Sequence, residues 1–156
     1  MLATILLSVV LSMSVASPKL IGGYPYEGAA PSWLVRLDGE VGPCAGFLVA
    51  PAWVVTAAHC EKAAEVARVG ISHLEDPVYN HTVIEWIVHP QWDYFRQHDL
   101  ALVKIDPPAW DVTTLNLANT KPEVGQWNGK VGGWGNYEWD PDNINIDVDS
   151  PRWTNV

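Results

Sequence analysis

Charge is scarce in this chain. Asp, Glu, Lys and Arg make up 17% of its 156 residues, and only nine are basic against eighteen acidic, a net charge of -9. So few basic groups exclude the positive footprint of a nucleic-acid binder. The acidic excess also disfavours anionic membrane surfaces. Low charge combined with 48% hydrophobic residues excludes a disordered tail and a coiled coil. Internal repeats and low-complexity tracts are absent. The length suits one domain with a sizeable core, or one and a half small ones. What the chain does have is turn formers, with twelve Gly and twelve Pro, and nine Trp. That many indole rings need a packed interior or a binding face.

Residues Met1 to Ala16 hold no charged side chain. Leu2, Ile5, Leu6, Leu7, Val9, Val10 and Leu11 form an apolar run too short to span a bilayer, so no membrane anchor is expected. Ser14-Val15-Ala16 places small residues where a signal peptidase reads, although no Lys or Arg precedes the run. A signal peptide over 1–16 and a secreted, extracellular product are expected; a buried first strand is the alternative. Cys44 and Cys60 are the two cysteines. In an oxidising compartment they would form one disulfide, and otherwise two buried thiols. Closing that loop would stabilise the fold by about 3 kcal/mol in the chain-entropy account. Asn80-His81-Thr82 is an N-glycosylation sequon, with Asn80 as acceptor.

The rest of the pattern is β. Strands are expected at Trp33–Leu37, Ala45–Ala50, Trp53–Thr56, Glu65–Val69, Val83–Val88 and Leu100–Ile105, rich in Val, Ile, Leu and Trp and separated by Gly and Pro. Only Ala57 to Ala67 has a helical look, with Ala58 to Ala64 enough for a single turn. Six short strands at this spacing imply a small antiparallel barrel or sandwich. Ala109 to Gly125 reads as a polar linker. A further β segment is expected around Gln126–Trp134, and another begins at Trp153. Between them the run Glu138, Asp140, Asp142, Asp147 and Asp149 reads as a solvated loop, without the spacing and glycine of an EF-hand.

Two stretches carry chemistry. Thr56-Ala57-Ala58-His59-Cys60 puts an imidazole at the end of an apolar strand beside a cysteine. Gln97-His98-Asp99-Leu100-Ala101-Leu102-Val103-Lys104-Ile105 puts a carboxylate at the mouth of a strand that reads as apolar on both faces. A carboxylate so near buried surface needs a partner. An imidazole Nδ1–H would satisfy it and raise the basicity of the ring.

With these motifs in order, the chain resembles the trypsin/chymotrypsin-like serine peptidase family. Lys19 followed by Leu20-Ile21-Gly22-Gly23 is similar to an activation site and new N-terminus, with Leu20 replacing the family's usual β-branched residue. Ala45-Gly46-Phe47-Leu48-Val49, Trp53 to Cys60, Asp99 to Ile105 and Gly132-Gly133-Trp134-Gly135 resemble further family signatures. The resemblance implies an all-β, antiparallel Greek-key β-barrel fold. After the signal peptide expected at 1–16, it implies an activation peptide at 17–19, a first barrel with linker at 20–120, and an incomplete second barrel at 121–156. His59 would be the general base and acid, Asp99 its orienting partner, Cys44–Cys60 a disulfide bracing the histidine loop, and cleavage would fall between Lys19 and Leu20. Polypeptide substrates or protein inhibitors are the implied partners of a full domain, with no cofactor. No metal is assigned: the stretch Gly70 to Pro90 offers only Glu75, Asp76 and Glu85, fewer ligands than a hard cation wants.

The family's triad runs His, Asp, Ser. After Asp99 the only serine is Ser150, in Val148-Asp149-Ser150-Pro151. It follows Gly135 too closely and lacks the flanking glycines that let backbone N–H groups form an oxyanion hole. Ser150 is therefore not read as the nucleophile. The expectation is a chain with the base half of the machinery, inactive alone; the alternative is a secreted, non-catalytic relative that binds protein. A partial second barrel is also expected to leave strand edges and apolar surface around Trp127, Trp134 and Trp153.

Overall fold

The computed structural model describes residues 24–26, 28–39, 43–61, 64–76, 80–94, 97–120, 129–134 and 151–155. Among them are nine strands: β1 (Tyr24–Pro25), β2 (Leu34–Asp38), β3 (Cys44–Ala50), β4 (Trp53–Thr56), β5 (Val66–Val69), β6 (Asn80–Val88), β7 (Ala101–Asp106), β8 (Lys130–Gly133) and β9 (Arg152–Asn155). The expected helical turn is a three-residue 3-10 helix, Ala58–Cys60. The expected signal and activation segments, Lys19, Leu20, Trp127, the acidic run from Glu138 and Ser150 lie outside the described residues.

Strands β2-β3-β4-β7-β6-β5 form a closed barrel. Every pair is antiparallel. Sequential hairpins link β2, β3 and β4. The chain then crosses the barrel end to pair β5 with β2, and returns through β6 and β7 until β7 closes on β4. Closure leaves no free edge within the barrel. Inside lie Val35, Leu37, Leu48, Val54, Ala67, Val103 and Ile105, each at 0–1% exposure. Each fully buried Val, Leu or Ile contributes about 1.5–3 kcal/mol relative to exposure.

Strand β7 corrects the sequence reading. It is not apolar on both faces in its surroundings: Ala101, Val103 and Ile105 are buried, whereas Leu102 and Asp106 are exposed. In β6, Val83 and Trp86 both pack on the core although they are three residues apart. A register shift between Val83 and Glu85 explains this, since the extra residue, Ile84, is turned outward at 55% exposure. The linker expected from Ala109 also differs at its start. Ala109 is 4% exposed and joins the core cluster, with Val112 packed against it.

Strand β2 is buried on its outer face too. Leu34 packs there with Ile71 and Trp134. Trp134, expected at an exposed edge, is 6% exposed. This satellite cluster fastens the sheet β1-β9-β8 to the barrel. Gly133 permits the approach, because a Cβ there would lie 3.0 Å from the Ala45 Cβ. Trp153 is half-buried, with the Tyr26 ring 6.2 Å away and Lys130 Nζ 4.0 Å above its own ring. The outer residue Arg36 is 4% exposed and donates from Nε to Asp38 Oδ1 at 2.7 Å. Arg68, directly across on β5, brings its Nε to 2.9 Å from Asp38 Oδ2, a charge contact not aligned as a hydrogen bond. One carboxylate thus separates two arginines that face each other.

Candidate active site

The register of β4 against β7 decides which side chains meet. Thr56, the last residue of β4, faces Ala101, the first of β7. His59 lies three residues beyond Thr56, and Asp99 two residues before Ala101. Adjacent strand ends therefore deliver both groups to the same barrel rim.

His59 is fixed from both sides. Before it, the Thr56 hydroxyl donates to the Ala45 carbonyl at 2.9 Å. After it, Cys60 is disulfide-bonded to Cys44. Both anchors thus reach the start of β3. Ala58 and Cys60 are buried at 1% and 3%, so the one-turn helix plants its flanks in the protein. The His59 side chain between them keeps 43% exposure.

Asp99 holds that ring. Its Oδ1 accepts the His59 backbone N–H at 2.9 Å, and its Oδ2 lies 2.7 Å from His59 Nδ1. An ionised carboxylate only accepts, so Nδ1 carries the hydrogen, and in the neutral ring Nε2 keeps its lone pair. Burial acts to raise the Asp99 pKa. The hydrogen bonds from the His59 ring and backbone, the charge of His59 and the Ala58 backbone N–H outweigh it, and the carboxyl is held below its ordinary value.

Sequence reasoning did not find how the Asp99 loop is shaped. His98 has φ 58°, in the left-handed region that few non-glycine residues adopt. Its ring stacks on His89, with centroids 4.7 Å apart and planes within 6°. The Leu100 N–H donates to the His98 carbonyl at 2.7 Å, and the His89 N–H to the Leu100 carbonyl at 2.9 Å. These contacts turn the chain so that Asp99 faces His59. The histidine-aspartate spacing alone carried no sign of the His89 partner.

Among the described residues, the one group of three potential metal donors is Cys44, His59 and Cys60. Its two sulfurs are joined in the disulfide and offer no thiolate. Asp76, weighed above as a carboxylate ligand, accepts the backbone N–H groups of Ser72 and His73 at 2.7 and 2.8 Å and closes a turn. Among the described residues no helix is long and apolar enough to cross a membrane. Asn80 is exposed at the start of β6.

The chain matches the family described as Trypsin over residues 20–150. It is 32% identical to a trypsin of Squalus acanthias over 125 residues, covering 76% of this chain and 54% of that protein. It is 32% identical to kallikrein-8 of Rattus norvegicus, covering 75% of this chain and 49% of the relative. The structure of neuropsin, a serine protease expressed in the limbic system of mouse brain, superposes with a TM-score of 0.72 at 27% identity, over 86% of this chain and 63% of that one. The chain spans about half the length of these curated relatives. On the extent of these matches, and with a closed antiparallel barrel whose rim joins a histidine to an aspartate, the chain belongs to the trypsin family of serine peptidases.

Proposed function

We propose that this chain provides the general-base half of a secreted serine endopeptidase. The carrying observation is the His59–Asp99 pair, with both carboxylate oxygens engaged and Nε2 left as the basic atom. In the acyl-transfer mechanism of such enzymes, a base in this state takes the proton of a serine hydroxyl as it attacks a peptide carbonyl. It then returns the proton to the leaving amine. Asp99 keeps the ring in the correct tautomer and stabilises the imidazolium formed between the two steps. Polypeptides are the substrate class, and protein inhibitors the competing partners. Residues 1–16 serve as the secretion signal, and cleavage between Lys19 and Leu20 frees the new N-terminus.

No glycine-flanked serine follows Asp99 in these 156 residues, so residues 1–156 alone are inactive. Removing the nucleophile from a comparable triad costs about a millionfold in turnover. The same observation supports a second reading, a secreted non-catalytic relative that binds protein. Intact-mass measurement of the natural secreted product, before and after a fluorophosphonate probe, separates the two. A product larger than this chain that gains one probe mass, with labelling abolished by His59→Ala, supports the first reading. A product ending at Val156 without label refutes it and leaves the binding reading. Inhibitor-sensitive cleavage of peptide arylamides by residues 1–156 alone would overturn the assignment of inactivity.

A further inference from the structure

The barrel has a concavity at the end opposite His59. There β6 begins and β7 finishes, with Thr82 facing Asp106, whereas the histidine end pairs Val88 with Ala101. The cavity measures about 480 Å³, and its lining includes Asn80, His81, Pro107, Pro108, Trp110 and Asp111. That volume falls within the range of small-ligand sites, roughly 300–1,000 Å³. Trp110 is 74% exposed, an unusual state for an indole ring.

Strand alternation sorts the sequon across this rim. His81 points inward, 5% exposed, and its Nδ1–H donates to the Pro107 carbonyl. Asn80 and Thr82 are both exposed on the outer side. The two residues a glycosylating enzyme reads are therefore accessible, while the residue between them pins the strand to the cavity wall. Asn80 and Trp110 both line the same space.

We propose that Asn80 carries an N-linked glycan whose first N-acetylglucosamine residues lie in this cavity against Trp110. The transfer is balanced with a lipid-linked oligosaccharide pyrophosphate as donor. The Asn80 Nδ2–C1 bond forms, the sugar C1–oxygen bond to the pyrophosphate breaks, and Nδ2 loses one proton as the lipid pyrophosphate leaves. The apolar C–H face of a pyranose suits the face of an indole, and the sugar's hydroxyl and acetamide N–H groups are donors for the Asp111 carboxylate. The glycan so placed covers apolar surface at the barrel end away from the histidine, so it shields without obstructing. This inference rests on the secretory route of the proposed function. Its readout is glycan mass and release, independent of any peptidase activity.

The test uses the chain secreted from cells restricted to high-mannose glycans. Peptide mapping is expected to find the glycan on Asn80 and to lose it in Thr82→Ala. On native protein, an endoglycosidase that cuts between the first two sugars is expected to act roughly threefold to tenfold faster on Trp110→Ala than on the parent, at equal occupancy. Trp110→Phe, which keeps an aromatic face, is expected to retain most of the protection. That variant distinguishes loss of the stacking surface from general loosening. An unmodified Asn80 in the secreted product would overturn the proposal, as would equal native release rates for the parent and both Trp110 variants.

Discussion

Replacing Gly46 with alanine tests how tightly β3 and β4 are closed beneath the histidine. Gly46 is buried in β3. A Cβ at this position would lie 2.7 Å from Val54 Cγ1, 2.7 Å from the Val55 carbonyl oxygen and 3.3 Å from Thr56 Cβ. The valine methyl can rotate away. The carbonyl cannot, because it belongs to the neighbouring strand. Overpacking of a filled interior costs about 1–3 kcal/mol, and a backbone obstacle places this site at the upper end. Against that, alanine lowers the entropy of the unfolded chain, a gain of about 0.4–1 kcal/mol. The cost wins, and Gly46→Ala is expected to destabilise the fold by about 2 kcal/mol, roughly thirtyfold in the folding equilibrium. Urea denaturation followed by far-UV circular dichroism measures this as a lower midpoint at unchanged slope. A midpoint equal to or above the parent's would show that the two strands separate without penalty. The Thr56-to-Ala45 anchor of His59 would then not be held as described.

Three further perturbations address other parts of the account. Replacing both Cys44 and Cys60 with alanine opens a link across a sequence separation of 16 and is expected to cost about 3 kcal/mol, read as a lower urea midpoint; reduction of the parent should give a similar shift. Asp38→Ala leaves Arg36, with its side chain 5% exposed, opposite Arg68 without the carboxylate between them, and is expected to cost about 3 kcal/mol by the same assay; a change below 0.5 kcal/mol, roughly that of an ordinary surface substitution, would contradict this role. Because the Asp99 pKa is lowered on folding, its ionised form stabilises the protein above the ordinary carboxylate pKa of about 3.9, and that contribution disappears as pH falls through the lower folded value. The stability gap between the parent and Asp99→Asn is therefore expected to be present at pH 7 and to close at low pH; a gap independent of pH would contradict the assignment.

Much of the barrel was legible because its strands are short apolar runs between glycines and prolines. The Trp53–Thr56 strand matches in its bounds, and Trp33–Leu37 and Ala45–Ala50 within one residue. The start of β6 was hidden because Asn80, His81 and Thr82 are polar. They join the barrel through pairing with β5, and His81 is buried only because a proline carbonyl receives its ring N–H. Strand β7 appeared apolar on both faces because hydropathy cannot see that Leu102 faces outward. Trp134 was misplaced for a related reason: the cavity that receives it is made by Leu34 and Ile71, distant in sequence. Two-residue β1 offers no periodicity to read. At the site, the sequence showed that Asp99 needs a partner. The family resemblance named His59 among the chain's five histidines, and the β4–β7 register supplies the physical reason the two groups meet. The stacked His89–His98 pair arises from a left-handed turn that no local motif announced.

The central claim is that this barrel alone assembles a histidine poised as a base. Nitrogen-15 NMR of the histidine rings in residues 1–156, at an alkaline pH where imidazoles are neutral, tests it directly. His59 is expected as the Nδ1–H tautomer with an unprotonated Nε2, and Asp99→Asn is expected to abolish that preference while the barrel's amide spectrum persists. A folded parent whose His59 carries its hydrogen on Nε2, unchanged by Asp99→Asn, would contradict the account.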